Sequence, residues 1–124
     1  MTEIMGEFQV TAWEEGTFDE QTQATRVTIH KTFHGDIEGT SVAEMLAAGA
    51  EGGRGYVASE YFTGSVQGRK GTLLIQHGGI DDGVAPYTFG NIVPNSGTGE
   101  LTDMRGTITF RHDETGATAT ITTT

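Results

Sequence analysis

The sequence contains no cysteine, which excludes a thiol nucleophile, a disulfide framework and any thiolate metal site. That composition fits a reducing compartment without requiring one. No apolar run approaches the roughly 18 residues of a membrane-spanning helix. The first residues also lack the basic, apolar and small-residue succession of an export signal. We therefore expect a soluble cytoplasmic protein with no membrane association.

Basic residues are scarce. Seven lysines and arginines stand against 17 acidic residues, which gives a net charge of −10 at pH 7. Such a charge repels phosphate backbones and leaves no basic stripe to neutralise them. The acidic residues are spread along the chain, as on a solvated surface. We expect no nucleic-acid partner.

Proline is rare, with two residues, whereas the chain has 19 glycines and 21 threonines. Threonine favours pleated strands and glycine supplies the positive φ angles of tight turns. The length of 124 residues suits one domain with one core. This composition predicts a single all-β domain over residues 1–124, with little or no helix.

Alternating polar and apolar residues predict eight strands joined by tight turns. The predicted strands cover residues 6–15, 24–39, 40–53, 54–68, 69–79, 85–93, 107–110 and 117–124, with a polar link at 16–23. Neighbouring strands without crossover helices form an antiparallel meander. Closing it into a barrel removes the exposed edges that promote aggregation. We therefore predict a single eight-stranded antiparallel β-barrel.

Two segments do not fit the alternating pattern of a regular strand. Residues 40–53 contain Ala, Glu, Met and Leu, which favour a helix, but the segment is short and ends in glycines. A strand is preferred, because both neighbouring segments read as antiparallel partners. In the first strand, Phe8, Val10 and Ala12 alternate on one face, and Trp13 breaks that alternation, which indicates a bulge or a strand end near it.

The stretch "SGTGELTDMRGTITF" at 96–110 carries closely spaced glycines. A phosphate-binding loop needs a strand before it and a helix after it. Here the glycines lead into "TITF", which reads as a strand, and no lysine follows the last glycine. The motif therefore predicts a corner in a sheet, with no nucleotide site.

Within that stretch, "GTGELTDMRG" resembles the turn and strand motif of the barrels of allene oxide cyclases and dirigent proteins. The set "GEFQVTAW", "KTFHGDIEGTS", "YVASEYFTGSVQGRKGTLLIQH" and "SGTGEL" is similar, over nearly the whole chain, to a family of uncharacterised bacterial proteins with that barrel. The resemblance implies an allene oxide cyclase-like barrel, usually oligomeric, around an apolar cavity. It implies no cyclase activity, and no family residue roles carry over.

Three polar residues lie in phase with apolar residues that face the predicted interior. Lys31 is in phase with its apolar neighbours on the second strand, Glu60 on the fourth and His77 on the fifth. An amine, a carboxylate and an imidazole in one apolar cavity would have shifted pKa values suited to proton transfer. The competing interpretation is a structural Lys31–Glu60 pair, because isolated buried charges are costly.

Trp13 and Tyr56 are further candidates for contact with a ligand in the cavity, because each has a large ring whose polar atom must find a partner if it is buried. No metal site or cofactor is expected. His30 and His34, for example, stand roughly 13 Å apart on a strand, which is too far to hold one metal ion.

Two functions remain open. The preferred hypothesis is a small barrel that binds an apolar or amphipathic small molecule, with acid–base isomerase or lyase chemistry left undecided. The alternative is a non-catalytic structural or interaction protein, with a barrel filled by side chains and an outer face that forms a homo-oligomer.

Overall fold

The computed structural model describes residues 1–21 and 24–124, and over those residues it forms a closed barrel of eight antiparallel strands. The strands are β1 (Glu3–Asp19), β2 (Ala24–Gly35), β3 (Ile37–Ala50), β4 (Gly53–Val66), β5 (Arg69–Asp81), β6 (Tyr87–Ile92), β7 (Gly106–Asp113) and β8 (Gly116–Thr123). Each strand pairs with the next in the chain, and β1 closes the barrel against β8. The predicted fold is confirmed.

Helix is almost absent from the described chain. A three-residue 3₁₀ helix, Gly99–Leu101, is the helical segment within residues 1–21 and 24–124. The described residues contain no helix that is long and apolar enough to cross a membrane.

The ambiguous segment 40–53 lies almost wholly in strand β3, as preferred. Met45 is opposite Val27 of β2 on one side and Ala58 of β4 on the other. β3 therefore hydrogen-bonds to two neighbours along most of its length. That ladder, together with the burial of Ser41 and Ala43 inside the barrel, outweighs the local helix preference of Ala, Met and Leu.

The predicted boundaries of the second strand and of the polar link are wrong. The predicted second strand, 24–39, is divided by a corner after Gly35, whose φ of 110° suits glycine, and Ile37 already begins β3. The polar link at 16–23 is strand as far as Asp19. Its residues Thr22 and Gln23 lie outside the described part of the chain.

The irregularity predicted near Trp13 is a β-bulge. The β1–β2 register shifts between Val10 and Ala12, so that Ala12 is opposite His30 and Trp13 is opposite Ile29. The bulge reverses the alternation, and Ala12 does not share the inner face with Phe8 as predicted. Trp13 instead falls on the side of the sheet that carries buried Ile29.

A dense apolar cluster fills one end of the barrel. Fourteen buried residues form it: Ile4, Phe8, Phe33, Ile37, Phe62, Val66, Leu73, Ile75, Ile92, Leu101, Met104, Ile108, Ala119 and Ile121. Two of them, Leu101 and Met104, come from the loop between β6 and β7 and not from a strand. This loop therefore covers that end of the barrel, and we call the packed end the floor.

The glycine motif explains how the floor is attached. β6 pairs with β5 only between Ile75 and Ile80, and the loop takes over the remaining edge of β5. The backbone N–H of Thr98 donates to the Thr72 carbonyl at 3.0 Å, and the Leu74 N–H donates to Ser96 Oγ at 3.1 Å. Gly71 permits this approach, because a Cβ there would overlap the Thr98 carbonyl oxygen. The motif is a corner, as predicted, and its residues also cover one end of the barrel.

We predict that Leu101→Ala lowers the free energy of unfolding by about 2–4 kcal/mol, because it leaves a cavity in a fully buried site. Urea denaturation measures the effect. Val84→Ala is the control, since Val84 is 89% exposed and its truncation removes no packing. Equal stability of the two variants would show that the loop does not support the core.

Candidate functional site

The three predicted polar residues come together inside the barrel. Lys31 Nζ lies 3.0 Å from Glu60 Oε1, and His77 Nε2 lies 2.8 Å from the same oxygen. All three residues are buried, and Glu60 is 0% exposed. Ser41 Oγ donates to the other carboxylate oxygen, Oε2, at 2.6 Å. Glu60 is therefore the centre of a fully hydrogen-bonded cluster.

Strand order explains this convergence. Lys31, Ser41, Glu60 and His77 lie on β2, β3, β4 and β5, which are consecutive neighbours in the barrel. Each side chain occupies an inward position of its strand, because side chains in a strand alternate between the two faces. The cluster lies next to the apolar floor, since Lys31 and His77 both contact aromatic rings of the interior.

Aromatic rings pack against Lys31 and His77. The ammonium of Lys31 lies 4.0 Å from the centroid of Phe110 and 5.0 Å from that of Phe8, so both rings present π-faces to the cation. The ring of His77 packs against Phe110 at 4.7 Å between centroids. Within the residues that the structure describes, every buried side-chain nitrogen and oxygen atom has a hydrogen-bond partner. The buried polar atoms of the cluster therefore satisfy one another.

The environment keeps Glu60 ionised. Burial by itself would raise the pKa of this carboxyl, but the hydrogen bonds from His77, Ser41 and Lys31 and the positive charge of Lys31 outweigh it. The net result lowers the pKa of Glu60 from 4.5 to about 2. At neutral pH the carboxylate can therefore only accept hydrogen bonds.

Tyr56 extends the cluster toward the open end of the barrel. Its hydroxyl lies 3.1 Å from His77 Nδ1, the ring nitrogen that does not face Glu60. The two rings meet edge-on, with centroids 5.6 Å apart. Burial, and then the negative charge of Glu60, raise the pKa of Tyr56, so the phenol keeps its proton. Glu60, His77 and Tyr56 form one hydrogen-bonded chain, which is able to relay a proton.

A cavity of about 450 Å³ lies at the outer end of this chain. Its lining is mostly apolar and includes Met45, Ala47, Tyr56, Gly79, Tyr87 and Thr88. Tyr56 is the member of the chain that contributes to the wall, whereas Lys31, Glu60 and His77 lie deeper in the barrel. We call this space the mouth cavity. The barrel is therefore filled at its floor and open at its mouth.

Trp13 is not part of the cluster. Its side chain is 50% exposed, and its indole N–H donates to Glu15 Oε1 at 2.8 Å. Ser41 is a member that sequence reasoning missed. The available signal was its alternation with Ala43, but that signal has meaning only if the segment 40–53 is a strand.

Comparison with known proteins gives a family and a fold but no activity. A family model described as "Protein of unknown function (DUF3224)" matches residues 4–123. A similar solved structure is that of a DUF3224 protein of unknown function from Shewanella oneidensis MR-1. The two chains are 32% identical with a TM-score of 0.88, over 100% of this chain and 96% of that one. No curated protein matches.

We predict that Lys31→Met and Glu60→Gln each destabilise the protein by about 3–5 kcal/mol, because each leaves a buried charge without its partner. The double variant should lose less than the sum of the two and be more stable than either single variant. Chemical denaturation of all four proteins measures the coupling. Additive losses would show that the two side chains do not stabilise each other.

We also predict that acid weakens the wild-type fold through Glu60. Because the folded pKa lies below the unfolded value of 4.5, the contribution is complete above pH 4.5 and is lost as the pH falls toward 2. A difference of that size corresponds to about 3 kcal/mol. Denaturation curves between pH 5 and 2 should therefore be less pH-dependent in the Lys31→Met/Glu60→Gln double variant. If the stability of both proteins fell equally with pH, Glu60 would not be the source of the acid sensitivity.

Proposed function

The chain belongs to the DUF3224 family of proteins of unknown function, and we propose that it binds an apolar or amphipathic small molecule in the mouth cavity. The observation that carries this proposal is the combination of a mostly apolar wall with one internally anchored hydroxyl, that of Tyr56. Ligand sites in proteins are typically apolar cavities of a few hundred Å³ with a few placed polar groups. The mouth cavity has that size and that composition.

The hydrogen-bonded chain of Glu60, His77 and Tyr56 beneath the cavity supports a more specific proposal, that the protein catalyses acid–base isomerase or lyase chemistry. Tyr56 would face the ligand, and His77, oriented by Glu60, would accept or return the phenol proton. Lys31 pairs with Glu60 and balances its negative charge, whether His77 accepts or returns the proton. The resemblance of residues 97–106 to allene oxide cyclases and dirigent proteins stays a prediction, and no cyclase activity is inferred from it.

The alternative function, a homo-oligomer, is supported by the outer face of the barrel. Exposed apolar side chains lie side by side on β3 to β6: Leu46, Val57, Ile80 and Phe89. Arg26 and Glu44 pair at 3.1 Å in a groove that also includes Leu46, Val57 and Phe89. A patch that carries both charges can match a second copy of itself across a two-fold axis. The occupant of this face would then be another molecule of the same chain.

Native mass spectrometry of protein purified without added ligand tests both functions at once. A retained small molecule supports binding in the mouth cavity, and a multiple of the subunit mass supports the oligomer. Retention of a ligand by an oligomer would mean that the two functions coexist. A bare monomer that also fails to bind neutral apolar dyes would contradict both.

We predict that Ala47→Trp raises the dissociation constant for the neutral dye Nile red at least tenfold, because the indole fills the mouth cavity. Fluorescence titration measures the change. Val42→Trp is the matched control, since Val42 is on the same strand but points to the outer face. Equal binding by the two variants would place the dye elsewhere.

A further inference from the structure

We infer that the ligand of the mouth cavity carries a neutral hydroxyl group, as an alcohol or phenol does, and that this hydroxyl donates a hydrogen bond to the phenol oxygen of Tyr56. The inference rests on the proposed function, and it specifies the chemical class of the molecule that binds. It follows from the direction in which hydrogen bonds run through the buried cluster.

The direction begins at Glu60. An ionised carboxylate has no proton to give, so Ser41 Oγ, Lys31 Nζ and His77 Nε2 must all donate to it. His77 therefore carries a proton on Nε2. Because Lys31 already balances the charge of Glu60, a second proton on His77 would leave an uncompensated charge in the interior. With one proton, on Nε2, the other ring nitrogen, Nδ1, has a free lone pair and is an acceptor.

The acceptor on His77 sets the orientation of Tyr56. Nδ1 lies 3.1 Å from the Tyr56 oxygen, and the half-buried phenol retains its proton. The Tyr56 O–H therefore donates inward to His77. If it turned outward instead, Nδ1 would be left in the interior without a partner, at a cost of about 1–3 kcal/mol.

With its proton directed inward, the Tyr56 oxygen presents only lone pairs to the mouth cavity. A ligand that reaches this oxygen must then supply the proton of the hydrogen bond. A hydroxyl can do so, whereas an ether, a ketone or an ester has only acceptors to offer. The hydrogen-bonded chain therefore favours a ligand whose polar group is a hydrogen-bond donor.

Charge narrows the class further. An anionic head group such as a carboxylate would meet acceptor lone pairs in front of the Glu60 charge, in a protein with a net charge of −10. A cationic head group would lose water in a mostly apolar cavity. The carboxylate in the cavity wall, Asp81, lies 3.7 Å from Arg54, which already balances its charge. A neutral hydroxyl avoids both penalties.

Three biphenyl probes with the same apolar body test the inference. 4-Phenylphenol has a donor, 4-methoxybiphenyl has only an acceptor, and biphenyl-4-carboxylate is an anion. Calorimetric titration should show that wild-type protein binds 4-phenylphenol about 5–10-fold more tightly than the methoxy compound, the effect of one hydrogen bond. The carboxylate should bind more weakly than 4-phenylphenol.

Tyr56→Phe should reduce the preference for 4-phenylphenol over 4-methoxybiphenyl to less than about twofold, because the accepting oxygen is removed. Tyr61→Phe is the matched control, since Tyr61 lies on the same strand but is 53% exposed on the outer face. That control should keep the wild-type preference. Thermal melting of both variants checks that they are folded.

The outcomes separate the two proposals. If all three probes bind with equal affinity, if the methoxy compound or the carboxylate binds best, or if the preference survives in Tyr56→Phe, the hydroxyl inference is wrong while ligand binding stands. If no probe binds and purified protein retains no small molecule, the proposed function is wrong and the inference is wrong with it.

Discussion

The interior of this barrel is organised around one buried negative charge. Glu60 is fully buried, and a carboxylate in such a place is tolerated only when its charge is balanced and its lone pairs are occupied. Lys31 balances the charge, and Ser41 and His77 complete the hydrogen bonding. Those partners come from three other strands, so the carboxylate is satisfied only when β2 to β5 pair in the observed register. The cluster therefore links the hydrogen bonding of one carboxylate to the pairing of four strands.

That requirement divides the barrel into two parts. On one side of the cluster, apolar side chains from the strands and from the 96–105 loop pack into a floor that leaves no place for charge. On the other side, small residues such as Ala47 and Gly79 line an open mouth. The polar cluster lies between these parts, where it replaces packing with hydrogen bonds. A barrel with a packed floor can therefore still present a cavity to solvent.

Alternation along single strands predicted the eight strands and the inward positions of Lys31, Glu60 and His77, and the need to remove exposed edges predicted their closure into a barrel. Each of these residues lies in a regular strand, where the parity of neighbouring apolar residues is unambiguous. Parity failed where a strand is irregular. The bulge in β1 moved Ala12 off the face that it was predicted to share with Phe8, and the corner at Gly35 ended β2 before the apolar pattern did. The role of Ser41 was hidden because its segment is also suited to a helix, and only pairing with two neighbours decides between the two structures.

The link from Glu60 to Tyr56 depends on register and could not be found in the sequence of either strand. Ala58 is opposite His77 and Tyr56 is opposite Gly79, so the His77 ring extends between the side chains of β4 and reaches Glu60 on one side and Tyr56 on the other. Each nitrogen of the imidazole then has one partner, and the ionised state of Glu60 determines which nitrogen carries the proton. A charge that never contacts the cavity thereby determines whether the hydroxyl in its wall donates or accepts. The same pairing that makes a buried carboxylate tolerable thus gives the mouth of the barrel a defined hydrogen-bonding character.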